Sequence, residues 1–226
     1  KTASIAQRNA DPGVMEALEE GADEGLRAIR TNLESTMVPI LRQPGFQQRA
    51  MPLSIKAWHQ MIATSLAPAR AELIRGVIVE KTRKSIIHTK LSARIFALLQ
   101  KLAGAQVWVR KEDPLTLTDS EPEPDASVVA GREEDFQSHP TTALLVVEVS
   151  VSSLNEDRGM AAIYAENQVL EYWIVNGEER CIECYRDPSA GRYQTQFRIT
   201  EGSLLQSTAL PTVSVDIAEL FAGISA

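Results

Sequence analysis

Several residue types are scarce in this sequence. Its 226 residues include two cysteines, three histidines and 5% aromatics. No apolar run approaches the roughly 18 residues of a membrane-spanning helix. The polar start KTASIAQRNADPGV lacks the apolar stretch of a signal peptide. These absences lead to the expectation of a soluble, cytoplasmic protein. The chain begins at Lys1 rather than Met, as a trimmed or partial chain would, and Met51 is a candidate alternative start. The two cysteines stand in RCIECYRD as a CxxC pair, Cys181 and Cys184. There is no second pair to complete a zinc site. An offset of three on a strand also sends the two side chains to opposite faces, so they read as ordinary strand residues.

The most informative absence is that of lysine. Lys111 is the last one, and every later basic residue is arginine. The net charge of −7 is unevenly spread: −1 over residues 1–53, +7 over 54–113 and −13 over 114–226. The acidic total argues against coating duplex DNA by charge alone, whereas the basic middle segment suits local phosphate contact. With 44% apolar and 23% charged residues, the chain has an ordinary globular composition and can bury a core.

The pattern along the chain predicts an N-terminal helical extension over residues 1–50, with helices near 14–30 and 32–41, and a mixed α/β domain over 51–226. Ser54 is placed to cap a helix carrying Trp58. AELIRGVIVE (71–80) suggests a hairpin turning at Gly76. A long helix is expected from about Ser85 to Ala103, stopped by Gly104. Lys90, Arg94 and Lys101 share one of its faces, which reads as a solvated face. Strands are expected at 107–110, 114–117, 126–130, 144–151, 170–175, 180–186, 192–199 and 203–207. A helix near 153–166 is expected, with Ser153 and Glu156 at capping-box spacing.

Two acids occupy costly positions. Glu148 interrupts the apolar run LLVVEVSV, where a carboxylate needs a partner, a metal or a raised pKa. Asp125 follows Pro124 at the mouth of another apolar strand. Taken singly, a strand-end Glu paired with an Arg and a Pro-Asp turn are the plainer readings. Taken together, the two acids can meet across neighbouring strands. Two hard oxygen ligands suit Mg²⁺ or Mn²⁺, and Mg²⁺ keeps several waters and binds few carboxylates.

The succession ELIRG, a helix with His88 near its start, PDASVV, LLVVEVS, DRGMAAIYAENQVLEYWIV and a cysteine-bearing strand ending YRDP resembles the Uma-two family of restriction-endonuclease-like proteins, in the PD-(D/E)XK superfamily. The resemblance runs from about Trp58 to Phe221. It implies a restriction-endonuclease-like core, a mixed sheet with flanking helices and a C-terminal β-rich extension. It also implies Mg²⁺-dependent phosphodiester cleavage of nucleic acid, DNA in the first instance, and a homodimer. By the same resemblance Asp125 and Glu148 are metal ligands, and Glu72 and His88 complete the catalytic set. Glu80 is a further nearby acid. The simple superfamily motif places a lysine two residues after the Glu, which here is Ser150. The family places one on the following helix, which here is Met160. Arg158 is close to it, but a guanidinium cannot serve as a general base. Lys84 or Lys90 can reach the site only if the fold brings the 81–90 segment across.

Three readings follow. The first is a metal-dependent nuclease weakened by the lost lysine. The second is a catalytically inactive nuclease fold that binds nucleic acid or a partner. The third is a metal-dependent hydrolase of a small phosphate substrate.

Overall fold

The computed structural model describes residues 43–224. The chain divides after Met51 into two units. In the first, the described part holds one short helix, α1 (Pro44–Gln47). The helices expected near 14–30 and 32–41 lie outside the described residues.

The second unit opens with α2 (Ile55–Ala63), whose N-cap Ser54 accepts from the Ala57 amide at 3.2 Å. A hairpin follows, β1 (Ala71–Ile74) and β2 (Val77–Glu80), paired in antiparallel register. Its two-residue turn holds Arg75 and Gly76, both at positive φ, the geometry that matches strand twist in tight hairpins. A Cβ on Gly76 would stand 2.4 Å from that of Pro52, so the position admits only glycine. Helix α3 (Ile86–Leu102) begins at the N-cap Ser85, which accepts from the His88 amide.

The main sheet has six strands, in the order β3 (Val107–Arg110), β4 (Ala126–Ala130), β5 (Leu145–Ser150), β6 (Glu171–Asn176), β7 (Cys181–Ser189) and β8 (Arg192–Thr200). Only β5 and β6 run parallel, and helix α4 (Leu154–Glu166) makes the crossover between them; a parallel pair cannot be joined by a tight turn. The chain ends in β9 (Leu204–Gln206), β10 (Ser214–Asp216) and the short helix α5 (Ile217–Phe221).

Alternation along β5 sorts its side chains between two cores. Leu145, Val147 and Val149 pack with Leu91, Ile95 and Leu99 of α3 and with the C-terminal segment. Val146 faces the other way, into a core with Ile163 and Tyr164 of α4 and with Tyr172, Tyr185 and Tyr193. Glu148 shares that second face. Cys181 and Cys184 are free and buried on β7. This is the mixed α/β architecture predicted from the sequence. No helix among the described residues is long and apolar enough to cross a membrane.

Three local expectations change. PLTL (114–117) is not a strand but a loop held by single bonds, Leu115 N to Pro122 O, Thr116 N to Pro140 O and Leu117 N to Ser120 O. Pro114, Pro122 and Pro124 lack the amides that a regular ladder requires. Ser153 makes no cap bond to the backbone; its hydroxyl donates to Asp157 Oδ2 at 2.7 Å instead. Arg94 is not merely solvated, since its guanidinium donates to Leu220 O at 2.7 Å and so ties α3 to the end of α5.

Candidate nuclease site

The β4–β5 register sets Ala126 opposite Val147, and one step further brings Asp125 opposite Glu148. Two hydrogen bonds lock this juxtaposition. The Asp125 amide donates to Glu148 Oε2 at 3.1 Å, and the Val149 amide donates to Asp125 Oδ2 at 2.8 Å. Both acids therefore stand at the same end of the sheet, and a cleft of about 450 Å³ opens there. Glu72, His88, Asp125 and Glu148, the four residues singled out from the sequence, all line it, as does Glu80.

Two helices converge on this end from opposite faces. At the start of α3, Lys84 Nζ lies 2.8 Å from Asp125 Oδ1 and 3.1 Å from Glu112 Oε1. His88 Nε2 lies 3.0 Å from Asp125 Oδ2. From α4 on the other face, Tyr164 donates its hydroxyl to Glu148 Oε1 at 2.9 Å, and Asp157 lines the cleft near the helix start. Glu72, on β1, accepts from the Glu123 amide at 3.1 Å, and Lys81 pairs with Glu123.

The electrostatics are unequal. Burial opposes ionisation of Asp125, but His88 and Lys84 outweigh it and hold the carboxyl below its ordinary range. Among the described residues, Glu148 has no cation against it. Burial and the charges of Asp125 and Asp157 push it well above the ordinary carboxylate range. Burial likewise raises Glu72 and Asp157. Burial works against the charge on Lys84, yet Asp125 and Glu112 hold its pKa above the ordinary value. The cleft is thus lined both by a crowded set of carboxylates and by the basic residues Lys81, Arg83 and Lys84.

The comparisons with known proteins bear on this arrangement. The Uma2 family model, described as "Putative restriction endonuclease", matches residues 58–218. The chain belongs to the Uma2 family. Among solved structures, the chain is similar to "a putative nuclease belonging to DUF820" from Anabaena variabilis ATCC 29413. The TM-score is 0.64 at 16% identity, over 75% of this chain and 98% of that one; at that identity the likeness bears on the fold alone. No curated protein is significantly similar to the chain.

Within this Uma2 chain, the two positions where a lysine would be sought are occupied otherwise. Ser150 is buried at the end of β5, and Met160 lines the cleft from α4. Arg158 turns away from the cleft and donates from Nε to Glu183 Oε2 at 2.9 Å.

The donor set suits a hard divalent cation. It offers carboxylate oxygens in excess of local positive charge, in a cleft with room for retained waters. Among the described residues, no three His, Cys, Asp or Glu side chains converge as a metal centre. The fit is therefore that of a site with few protein ligands and several waters. Asp157 and Tyr164 did not emerge from the sequence reading. Their signal was helical spacing: Asp157, Met160 or Ala161, and Tyr164 fall at i, i+3 or i+4, and i+7, the stripe of α4 that turns towards the sheet.

Proposed function

We propose that this protein is a metal-dependent nuclease that hydrolyses phosphodiester bonds of nucleic acid, DNA in the first instance, at the cleft around Asp125 and Glu148. The observation that carries the reading is the placement of those two acids opposite each other at a sheet end, in a cleft also lined by Lys81, Arg83 and Lys84. Asp125 and Glu148 would hold Mg²⁺ or Mn²⁺. When bound, such an ion polarises the phosphate and lowers the pKa of a bound water.

The chain's own groups do the rest. His88 and the Val149 amide fix the Asp125 carboxylate, and Tyr164 fixes that of Glu148. Glu72, with a raised pKa and its place in the cleft wall, is the group best suited to take a proton from the attacking water. Lys81 and Arg83 contribute positive charge along the path of a phosphate backbone. The homodimer, the cytoplasmic setting and the division into a 1–50 extension and a 51–226 nuclease domain belong to the same reading.

The test is nicking of supercoiled plasmid with Mg²⁺ or Mn²⁺, with the Asp125→Asn variant beside the wild type. Metal-dependent nicking lost in the variant supports the reading, and nicking that persists in it rejects the site. The loss of lysine at 150 and 160 favours the alternative of an inactive binding module. That alternative gains if the wild type binds DNA but cuts neither DNA nor RNA with any divalent metal.

A further inference from the structure

We propose that Lys84 supplies the catalytic ammonium that positions 150 and 160 lack, delivered from the start of α3 rather than from β5 or α4. This rests on the nuclease reading and deepens it.

Elimination carries the first part. The sequence has no lysine beyond Lys111, so β5, α4 and everything after them offer none. Arg158, the nearest later cation in sequence, is committed to Glu183 on the far side of its helix. Of the lysines in the basic segment, Lys90 does not line the cleft, and Lys81 pairs with Glu123. Arg83 is exposed at the cleft wall. Lys84 alone among the described lysines touches Asp125.

Geometry carries the second part. Lys84 sits immediately before the N-cap Ser85, so the cap fixes the backbone from which its side chain reaches. The ammonium is held at two points, Asp125 Oδ1 and Glu112 Oε1. An ammonium has three donors, so one remains for a phosphate oxygen or the attacking water. The side chain is 31% exposed, open to a substrate in the cleft. Lys84 and His88 are four residues apart and both engage Asp125, one on each carboxylate oxygen.

The charged state fits one role and excludes another. Lys84 is paired with two carboxylates, so it acts as a fixed positive charge and not as the base. In the reaction, the water oxygen bonds to phosphorus and one ester P–O bond breaks. One water proton leaves to a carboxylate, and the departing alkoxide takes up a proton from solvent. Charge builds on the non-bridging phosphate oxygens as this happens. That is the charge that Lys84 faces.

The experiment uses the full chain and two readouts, plasmid nicking with Mn²⁺ and calorimetric Mn²⁺ binding. Lys84→Met lowers the nicking rate by about 10²-fold or more, and Lys84→Arg stays within roughly 10-fold of wild type because it keeps the charge. Lys84→Met also binds Mn²⁺ several-fold more tightly, since a like charge has left Asp125. The double variant Lys84→Met with Met160→Lys recovers at least about 10-fold of the lost rate, because an ammonium returns to the same cleft from α4. Nicking by Lys84→Met within roughly 3-fold of wild type overturns the proposal. So does an Mn²⁺ affinity that is unchanged or weaker in Lys84→Met. So does a double variant no faster than Lys84→Met when Lys84→Arg is equally slow. A wild type that cuts nothing rejects the nuclease reading instead; calorimetry then still decides whether Lys84 competes with the cation at Asp125.

Discussion

Two glutamates on adjacent strands show how differently one fold can treat a buried carboxylate. Glu148 on β5 and Glu171 on β6 both interrupt apolar runs. Glu171 is fully buried and saturated with donors. Trp173 Nε1 and Arg186 Nε each lie 2.8 Å from Oε1, and Ser207 Oγ at 2.7 Å, Thr208 N and Ala209 N surround Oε2. Burial opposes its ionisation, but Ser207, Trp173, Ala209 and Arg186 prevail and lower its pKa. Among the described residues, Glu148 accepts from two donors, the Asp125 amide and the Tyr164 hydroxyl, and pairs with no cation. Its pKa moves the opposite way. A carboxylate that the protein has already satisfied is a structural joint, here fastening the 207–209 turn to the sheet. One left under-neutralised in a cleft has capacity for something else.

The sharpest way to break this comparison is to remove charge on each side of it. Asp125→Asn should cut metal-dependent nicking by about 10³-fold or more, roughly 4 kcal/mol of transition-state stabilisation, in a protein that still folds. Glu148→Gln should do nearly as much. Nicking assays beside thermal melts check both. A Glu148→Gln protein that melts well below the wild type and still cuts at the wild-type rate would reverse the roles assigned here.

Glu171→Ala should show the opposite signature. It takes the carboxylate partner from Arg186 and the acceptor from Trp173 Nε1, Ser207 Oγ and the Thr208 and Ala209 amides, a loss of about 3–5 kcal/mol of stability. The denaturant midpoint should fall accordingly. Specific nicking activity, measured per folded molecule, should remain close to wild type.

The contrast was only half legible in the sequence. Glu148 stands out because LLVVEVSV is apolar on both sides of it, and Asp125 because PD opens an apolar strand. Their meeting needs only a neighbouring antiparallel pair, which short-range pattern makes plausible. Glu171 gave no comparable signal, because its donors come from residues 173, 186 and 207–209, which only the folded sheet brings together. The same limit left Lys84 unresolved. It was named from the sequence only as an equal of Lys90, because it lies 41 residues before Asp125 and nothing local states that the start of α3 packs against that strand mouth. The main strands and long helices were legible because period-2 and period-3.6 patterns are local. The PLTL segment misled because it has a strand's composition, while the flanking prolines removed the amides a ladder needs.

The opposed pKa shifts give the comparison a pH signature. Glu148, Glu72 and Asp157 have raised folded values. Such groups add stability that is fully present below the unfolded pKa and is lost as pH rises through the folded one. Asp125 and Glu171 are lowered. Their contribution is present above the unfolded pKa and is lost as pH falls through the folded one. Metal-free protein should therefore be most stable in mild acid and lose thermal midpoint as pH rises through the raised folded values of Glu148, Glu72 and Asp157. Glu148→Gln should flatten that decline. Added Mn²⁺ should offset it increasingly as pH rises, because the cation favours the ionised carboxylates. A metal-free midpoint that climbs steadily to neutrality would contradict the assignment.

The finest discrimination uses two tyrosines in contact, with ring centroids 4.8 Å apart. Tyr164 donates to Glu148 Oε1, and Tyr172 donates to the backbone oxygen of Asp157, each at 2.9 Å. Replacing either with phenylalanine removes one hydroxyl and keeps the ring packing, at a cost of about 1 kcal/mol of stability. Only Tyr164→Phe takes a donor from the under-neutralised acid. It should weaken calorimetric Mn²⁺ binding a few-fold and slow nicking by less than about 10-fold. Tyr172→Phe should match it in melting and leave Mn²⁺ affinity unchanged. Equal Mn²⁺ affinities in the two variants would mean that the Glu148 carboxylate is not oriented by Tyr164.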